Sequence, residues 1–121
     1  MIPPRIQGLA FFLYPVRDPA VARVFYEGHL GLRLARSFED QWFEYDLGDA
    51  TFAIARADET HAPPVRGAVV AFEVADLDGA VATLKAAGVR FRQELFETSI
   101  CRLAVALDPD FNEVILHQRK S

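Results

Sequence analysis

A chain of 121 residues with a net charge of −4 can form one domain with a sizeable core, and its 51% hydrophobic residues suit strands buried on both faces or an oligomer interface. Its 13 basic and 17 acidic residues are mixed, so no basic block suits a nucleic acid, and its apolar runs are shorter than the roughly 20 residues of a membrane span. The single cysteine, Cys101, excludes an internal disulfide. Together with an N-terminus that lacks the charged-then-apolar plan of a signal peptide, these features predict a cytoplasmic protein without nucleic-acid or membrane partners.

The first half of the chain predicts one helix among four strands. Residues 9–16 form an apolar run typical of a strand buried on both faces, and Asp18 and Pro19 then mark a helix start. Apolar residues recur at helical spacing up to Gly31, which suits a left-handed helix end. The residues that follow alternate as strands between short polar turns, over 32–38, 42–47 and 51–56.

The second half follows the same order after a polar stretch, residues 57–66, which contains Pro63-Pro64 and predicts a stiff linker. Its elements are predicted as a strand over 68–74, a helix over 76–87 and strands over 89–95, 100–107 and 113–118. Asp18 and Asp76 open the two helices and lie 58 positions apart in a chain of 121. A repeat at about half the chain length indicates two copies of one β-α-β-β-β unit.

Each copy is too small to bury its own apolar face. The two copies must therefore pack together or pair with a second chain, and a cavity between paired sheets is the expected working site. The sequence contains no Gly-rich phosphate loop, no Gly-x-Ser-x-Gly elbow and no Cys-x-x-Cys pair that would indicate another kind of site.

Three parts of the chain together resemble the vicinal oxygen chelate superfamily. They are an opening segment, a matching opening of the second copy and a closing turn: Val16-Arg17-Asp18 with Phe25-Tyr26 and Leu30-Gly31-Leu32, Phe72-Glu73-Val74-Ala75-Asp76-Leu77, and Asp108-Pro109-Asp110-Phe111-Asn112. The superfamily includes glyoxalases, extradiol dioxygenases, fosfomycin-modifying enzymes and bleomycin-resistance proteins. The resemblance covers about residues 8–118 and departs at Phe111, where the family turn usually has Gly. A positive φ there would cost Phe about 1 kcal/mol, so a local difference in the turn is expected.

The resemblance implies an α+β fold in which two tandem β-α-β-β-β modules form a cup-shaped half-barrel. We therefore expect a single domain over residues 1–121, with module one at about 8–56, a linker at 57–66 and module two at about 67–118. Members of this superfamily often complete or flank the cup through a partner chain, so a homodimer is expected. The short linker would decide whether modules pair within one chain or between two.

The resemblance also gives the positions at which enzymes of the superfamily hold a metal ion, generally with His or Glu. Those positions are filled here by Phe11, Val69, Ala53 and Ile115, with Ile54 in place of Ala53 if the alignment slips by one. None of these side chains offers the imidazole, thiolate or oxygen donor that a metal needs. The sequence therefore predicts no metal and no cofactor, which argues against glyoxalase, dioxygenase and metal-dependent fosfomycin chemistry.

Side chains two apart on a strand share a face. The predicted cavity therefore includes neighbours of these positions, namely Leu13, Glu73 and His117, around a floor that is apolar like that of a small-molecule pocket. Glu73 could act as a general base and His117 could transfer protons near neutral pH. The structural alternatives are a carboxylate paired with an arginine and a histidine that is hydrogen-bonded near a strand end.

Aromatic residues of one strand are further candidates for ligand contact. Trp42 faces opposite to Phe43 and Tyr45 on the predicted strand, and either Trp42 or Tyr45 could stack on a planar ligand. The alternative is ordinary packing in the core or at an interface.

The sequence as a whole predicts metal-independent binding of an apolar or aromatic small molecule, resembling the sequestration performed by bleomycin-resistance proteins. One alternative is an enzyme, either glyoxalase- or dioxygenase-like in a shifted register or metal-free with Glu73 and His117 as its acid–base pair. A second alternative is a non-catalytic partner module whose cavity is filled by its own side chains, to which Phe11 is large enough to contribute.

Overall fold

A computed structural model describes residues 3, 5 and 7–120, and within them eight strands and two α-helices form two similar halves. The first half comprises β1 (Phe12–Val16), α1 (Pro19–Arg23) continued by a π-helical segment (Val24–His29), β2 (Leu34–Phe38), β3 (Trp42–Asp46) and β4 (Thr51–Arg56). The second half comprises β5 (Val70–Glu73), α2 (Leu77–Ala86), β6 (Phe91–Glu97), β7 (Cys101–Leu107) and β8 (Glu113–Arg119).

Each half forms its own four-stranded mixed sheet. The strand orders are β1-β4-β3-β2 and β5-β8-β7-β6, with β1 parallel to β4, β5 parallel to β8 and the other neighbours antiparallel. The two sheets have the same topology, so the internal repeat corresponds to a repeated β-α-β-β-β module. The predicted α+β fold of two tandem modules is confirmed.

Both helices begin at a capping aspartate, as the sequence predicts. The Asp18 side chain accepts a hydrogen bond from the Ala20 amide and the Asp76 side chain accepts one from the Gly79 amide, each at 3.0 Å. The first helix differs from the prediction in its second part, where the Leu30 amide donates to the Phe25 carbonyl at 2.9 Å, a spacing of five residues. The helix therefore widens before it ends at Gly31, whose φ of +72° is the expected left-handed stop.

The inner faces of the two sheets share one hydrophobic core. Tyr14, Phe52 and Ile54 of the first sheet are buried in the same cluster as Val114 and Leu116 of the second. Between the sheets, the rings of Phe52 and Phe72 meet edge to face with centroids 5.5 Å apart. The two modules of one chain therefore pack through the sides of their sheets that also bury the helices.

The closing turn, residues 108–112, connects the two modules through buried hydrogen bonds. Asn112 is fully buried, donates to the Pro15 carbonyl at 3.0 Å and accepts from the Val65 amide at 2.7 Å. Asp108 accepts a hydrogen bond from the Tyr26 hydroxyl at 2.8 Å, and burial raises the pKa of the Asp108 carboxyl. Phe111 has φ +66°, so the turn keeps the left-handed residue that Gly usually supplies and places a Phe in it.

Candidate functional site

The predicted site residues of module one lie on the outer face of the first sheet, which we define by Phe11, Leu13, Trp42, Glu44 and Ala53. Strand register sets this face: Leu13 is the partner of Ala53 in β1–β4, and Ala53 is the partner of Glu44 in β3–β4. The face is opposite to the one that carries Tyr14, Phe52 and Ile54, so it points away from the shared core.

An aromatic pair covers part of this outer face. Phe11 lies just before β1, and its ring meets the Trp42 ring edge to face at 5.2 Å between centroids. The pair is half open to solvent, with Phe11 44% exposed. It offers apolar surface beside Leu13, which is half-buried.

Glu44 is the polar group of the first outer face, and it fixes the position of Trp42. The Trp42 indole donates to Glu44 Oε2 at 2.8 Å, while Arg36 Nε donates to Glu44 Oε1 at 3.1 Å. The carboxylate accepts a hydrogen bond from each of these two groups and so orients the indole ring. The positive guanidinium of Arg36 balances the negative charge of Glu44. Glu44 is not among the residues predicted for the site, although its position two residues after Trp42 puts it on the same face.

The second sheet has a corresponding outer face, which we define by Leu103, Ala71, Glu73, Ile115 and His117. Ala71 is the partner of Ile115 and Glu73 is the partner of His117 in the parallel β5–β8 pair, while Leu103 lies opposite His117 in β7–β8. Val69 lies one residue before β5 and is half-buried. This face is therefore apolar around Ile115 and polar at the end that carries Glu73 and His117.

Glu73 and His117 form a hydrogen-bonded pair. His117 Nδ1 lies 2.5 Å from Glu73 Oε1, and the Arg119 amide donates to Glu73 Oε2 at 2.8 Å. The Arg119 amide, and next the His117 ring, hold the pKa of the Glu73 carboxyl below its usual range. Glu73 is therefore ionised at neutral pH and orients the imidazole of His117, which suits Glu73 to positioning His117 better than to abstracting protons itself.

The positions that would bind a metal in the enzymes of this fold do not fit one. Phe11, Ala53, Val69 and Ile115 carry only carbon in their side chains, and Ile54, the position for a shifted register, lies fully buried on the inner face. Among residues 3, 5 and 7–120, no group of three or more His, Cys, Asp or Glu side chains could hold a metal ion.

Tyr45 does not join the site, and the expectation that it contacts a ligand is corrected. It lies on the inner face, is 0% exposed, and its hydroxyl donates to Glu27 Oε2 at 2.9 Å. Trp42 and Tyr45 are three residues apart on one strand, so they face opposite sides of the sheet and only Trp42 reaches the outer face.

The predicted site residues do not together line one cavity between the modules. The inner faces of the two sheets meet in the hydrophobic core, and the two outer faces both point away from it. Two cavities lie at the margins of this core, each lined by both modules: one of about 480 Å³ between the first helix and the closing turn, and one of about 410 Å³ beside β5 that includes Ala71 and Glu73. The other predicted site residues lie outside both cavities, and among them Ala53, like Tyr45, is fully buried.

The fold and this pair of outer faces define a class of protein, which comparison with known proteins identifies. The family model for the glyoxalase/bleomycin resistance protein/dioxygenase superfamily matches residues 8–116. The chain belongs to this superfamily, as its resemblance to the vicinal oxygen chelate proteins predicts. A comparison with curated proteins finds no match.

Solved structures of the same fold include both binding proteins and enzymes. The chain is similar to TnmS3, an antibiotic binding protein from Streptomyces sp. CB03234, with 26% identity and a TM-score of 0.79 over 95% of this chain and 98% of that one. It also shares its fold with the fosfomycin resistance protein FosX from Mesorhizobium loti, at 22% identity and a TM-score of 0.72 over 94% and 93%. The lactoylglutathione lyase from Agrobacterium tumefaciens matches at 18% identity and a TM-score of 0.71 over 93% and 94%.

Among the helices of the described residues, none has the length and apolar character to cross a bilayer.

Proposed function

We propose that this protein binds an apolar or aromatic small molecule without a metal ion, on the outer face of the first sheet. The observation that carries the proposal is the Phe11–Trp42 pair with Leu13, an apolar surface that includes one of the positions where related enzymes need metal ligands. Rigid aromatic rings beside one oriented polar group, here Glu44, are typical of a site that recognises a flat organic molecule. We expect the ligand to be sequestered without chemical change.

The similarity to TnmS3 supports binding as the activity. TnmS3 is an antibiotic binding protein, and its structure matches this chain over nearly the full length of both. The match covers the whole fold, so this chain has the same sheets as a protein that binds an antibiotic. The identity of the ligand differs with the side chains on those sheets.

We further propose that the site is completed by a second copy of the chain in a homodimer. The outer faces of one chain point away from its own core, so neither can close over a ligand alone. Phe11 and Phe38 are 44% and 50% exposed, and an open aromatic surface of this kind is typical of a contact or ligand site. In the described chain β1 and β5 each have a sheet neighbour on one side only, which leaves their other edges for a partner.

A second candidate function is metal-free acid–base catalysis by the Glu73–His117 pair. The 2.5 Å contact orients the ring through Nδ1 and leaves Nε2 as the atom that would exchange protons with a substrate. Such an activity would be lost in H117A. Binding on the first outer face is not expected to require His117.

The sole tryptophan of the chain provides a direct test of the proposed function. Because Trp42 lies on the first outer face, titration with uncharged aromatic compounds of two to four rings is expected to quench its fluorescence saturably. Removing adventitious metal with a chelator should leave the affinity unchanged. Stoichiometric metal in the purified protein, with binding lost on chelation, would contradict the proposal.

Matched variants on one strand separate binding from folding. By calorimetry, W42A should weaken the best compound by about tenfold, because it removes a stacking contact of about 0.5–1.5 kcal/mol together with the apolar area that the ring buries. Y45F alters the same strand on its inner face, away from the proposed site, and should leave the affinity unchanged. Equal weakening by both variants would show that the strand supports binding only through stability.

A further inference from the structure

The cavity of about 480 Å³ between the two modules is separate from the outer faces. Its walls come from the first helix of module one and from the α2–β6 turn and closing turn of module two. It shares no residue with either outer face, and its volume falls in the range that accommodates a small organic ligand. The question is what chemistry its lining would recognise.

The walls of this cavity are apolar and partly aromatic. Val21 and Val24 present exposed side chains from the first helix, and Phe111 presents a ring that is 48% exposed from the closing turn. Phe25 lies beneath, with the His29 imidazole edge to face at 6.4 Å between centroids. Two aromatic rings and two branched aliphatic side chains on facing walls suit a flat apolar body.

The Phe111 side chain lines the cavity from a backbone conformation that costs free energy. Its φ of +66° lies in the left-handed region that a bulky residue rarely adopts. A glycine would satisfy the same turn without strain, yet the turn carries a ring that lines the cavity. Strain of this kind concentrates at binding sites, where the side chain placed there has a use.

Arg90 supplies a cation at the same cavity. Its guanidinium carbon lies 5.1 Å from the centroid of the Phe111 ring, which is the distance of a cation–π contact. Stacking uses the flat face of the guanidinium and leaves its edge N–H donors free. Within the part of the chain that the structure describes, no ion pair or side-chain hydrogen bond engages the Arg90 guanidinium, whereas Arg92 is paired with Glu113 at 2.8 Å.

The other charged group in the lining, Asp108, already accepts hydrogen bonds at both of its carboxylate oxygens. Asp108 is buried, and its two carboxylate oxygens accept hydrogen bonds from the Tyr26 hydroxyl, the Asn112 side chain and the amides of Asp110 and Asn112. These donors lie in the core and in the turn itself. The hydrogen-bonding capacity left unused at the cavity is therefore that of the Arg90 guanidinium.

We propose that this inter-module cavity is a second ligand site, which binds an aromatic monocarboxylate. The aromatic body lies between Val24 and the Phe111 ring, and the carboxylate accepts hydrogen bonds from the edge of the Arg90 guanidinium. A bidentate guanidinium–carboxylate contact provides both affinity and orientation. Since the walls belong to both modules, the bound molecule bridges them.

The site is tested with 2-naphthoate and its uncharged analogue 2-naphthalenemethanol as probes. Amide chemical shifts of the ¹⁵N-labelled protein locate binding, and calorimetry measures affinity. We expect saturable shifts for naphthoate at residues 20–29, 87–90 and 107–111, and weaker binding of the alcohol. R90Q should weaken naphthoate by about tenfold or more and leave the alcohol unchanged, because only the carboxylate uses the charge.

Three further variants make the result decisive. F111A should weaken both probes, R90K should fall between wild type and R90Q for naphthoate, and W42A on the first outer face should change neither probe at this cavity. Naphthoate shifts confined to the outer faces, equal effects of R90Q on both probes, or no saturable shifts at millimolar concentration would each overturn the proposal. The residues whose amides shift, together with the separate effects of R90Q and W42A, distinguish failure at this cavity from failure at the first outer face.

Discussion

At the scale of the residue, Phe111 shows most clearly that a local backbone cost is accepted in this fold. Its φ of +66° is left-handed, and the turn that contains it closes with the Asp108 amide donating to the Asn112 carbonyl at 3.0 Å. The sequence indicates the turn by its Asp-Pro-Asp start and its Asn end. The direction in which the Phe111 ring points depends on the neighbouring module, which local sequence does not encode.

A comparison of two small residues at this position measures the cost. F111G and F111A both remove the ring, but only F111G removes the left-handed strain, so F111G should be more stable than F111A by about 1 kcal/mol. Urea unfolding followed by circular dichroism gives both free energies of unfolding. Equal stabilities, or a more stable F111A, would mean that the turn relaxes to another backbone conformation.

The residue scale also explains why the site was only partly predictable. Alternation along β3 predicts that Trp42 and Tyr45 face opposite sides, but it does not say which side is the core. The structure resolves this through Tyr45, which is fully buried and bonded to Glu27 from a different element. In the same way, the contact of Glu73 with His117 depends on the parallel register of β5 and β8, which pairs residues 44 positions apart.

At the scale of the element, the sequence pattern predicts the strands, but it does not predict the hydrogen-bond spacing of the first helix. β4 has the predicted bounds, Thr51–Arg56, because short polar turns limit it on both sides. The helix that starts after Asp18 carries the predicted cap and stop, but it changes to π-helical spacing over Val24–His29. Apolar periodicity does not separate these two kinds of helix, because both bury a stripe of side chains.

Glu27 joins this π-helical segment to the first sheet and should make stability depend on pH. Arg23 donates to Glu27 Oε2 at 2.6 Å, and the Tyr45 hydroxyl donates to the same oxygen at 2.9 Å. Arg23 first, and Tyr45 less strongly, lower the pKa of the Glu27 carboxyl below its ordinary value of 4.5. The stabilisation is therefore fully present above pH 4.5 and is lost as pH falls through the lowered pKa of the folded state.

We expect E27Q to lose about 1 kcal/mol of stability at pH 7, a figure reduced because both partners are partly exposed to solvent. Its free energy of unfolding should also fall less between pH 6 and pH 3 than that of the wild type. Urea titrations at several pH values measure both effects, and Y45F, which keeps Arg23 beside the carboxylate, should show a smaller change in pH dependence. If the free energies of unfolding of E27Q and wild type changed in parallel with pH, the pKa of Glu27 would be the same in the folded and unfolded states.

At the scale of the whole molecule, a repeated module explains the architecture but does not determine which faces of the two sheets meet. The sequence predicts two β-α-β-β-β units because each carries the same succession of signals about 58 residues apart. It does not determine which sides of the two sheets meet, because both faces of these strands carry apolar residues. In the structure the inner faces meet, with Phe52 against Phe72 and the Tyr14 hydroxyl donating to the Glu113 backbone carbonyl at 2.9 Å, so both outer faces point away from this contact.

If the proposed cup combines the first sheet of one chain with the second sheet of its partner, two defective chains should complement each other. W42A disables the first outer face, and A71W fills the second at a position whose side chain is exposed. Each variant alone should bind the ligand of the outer faces at least about tenfold more weakly than the wild type, since every cup then contains one altered face. When the two are unfolded together and refolded as a mixture, half of the dimers are mixed and each mixed dimer holds one intact cup, so about a quarter of the sites should bind. Calorimetric stoichiometry measures that fraction, and sedimentation velocity establishes that the sample is dimeric. A mixture in which no site recovers would show that each cup is formed by faces of the same chain, because dimer exchange would then leave every cup with its defect.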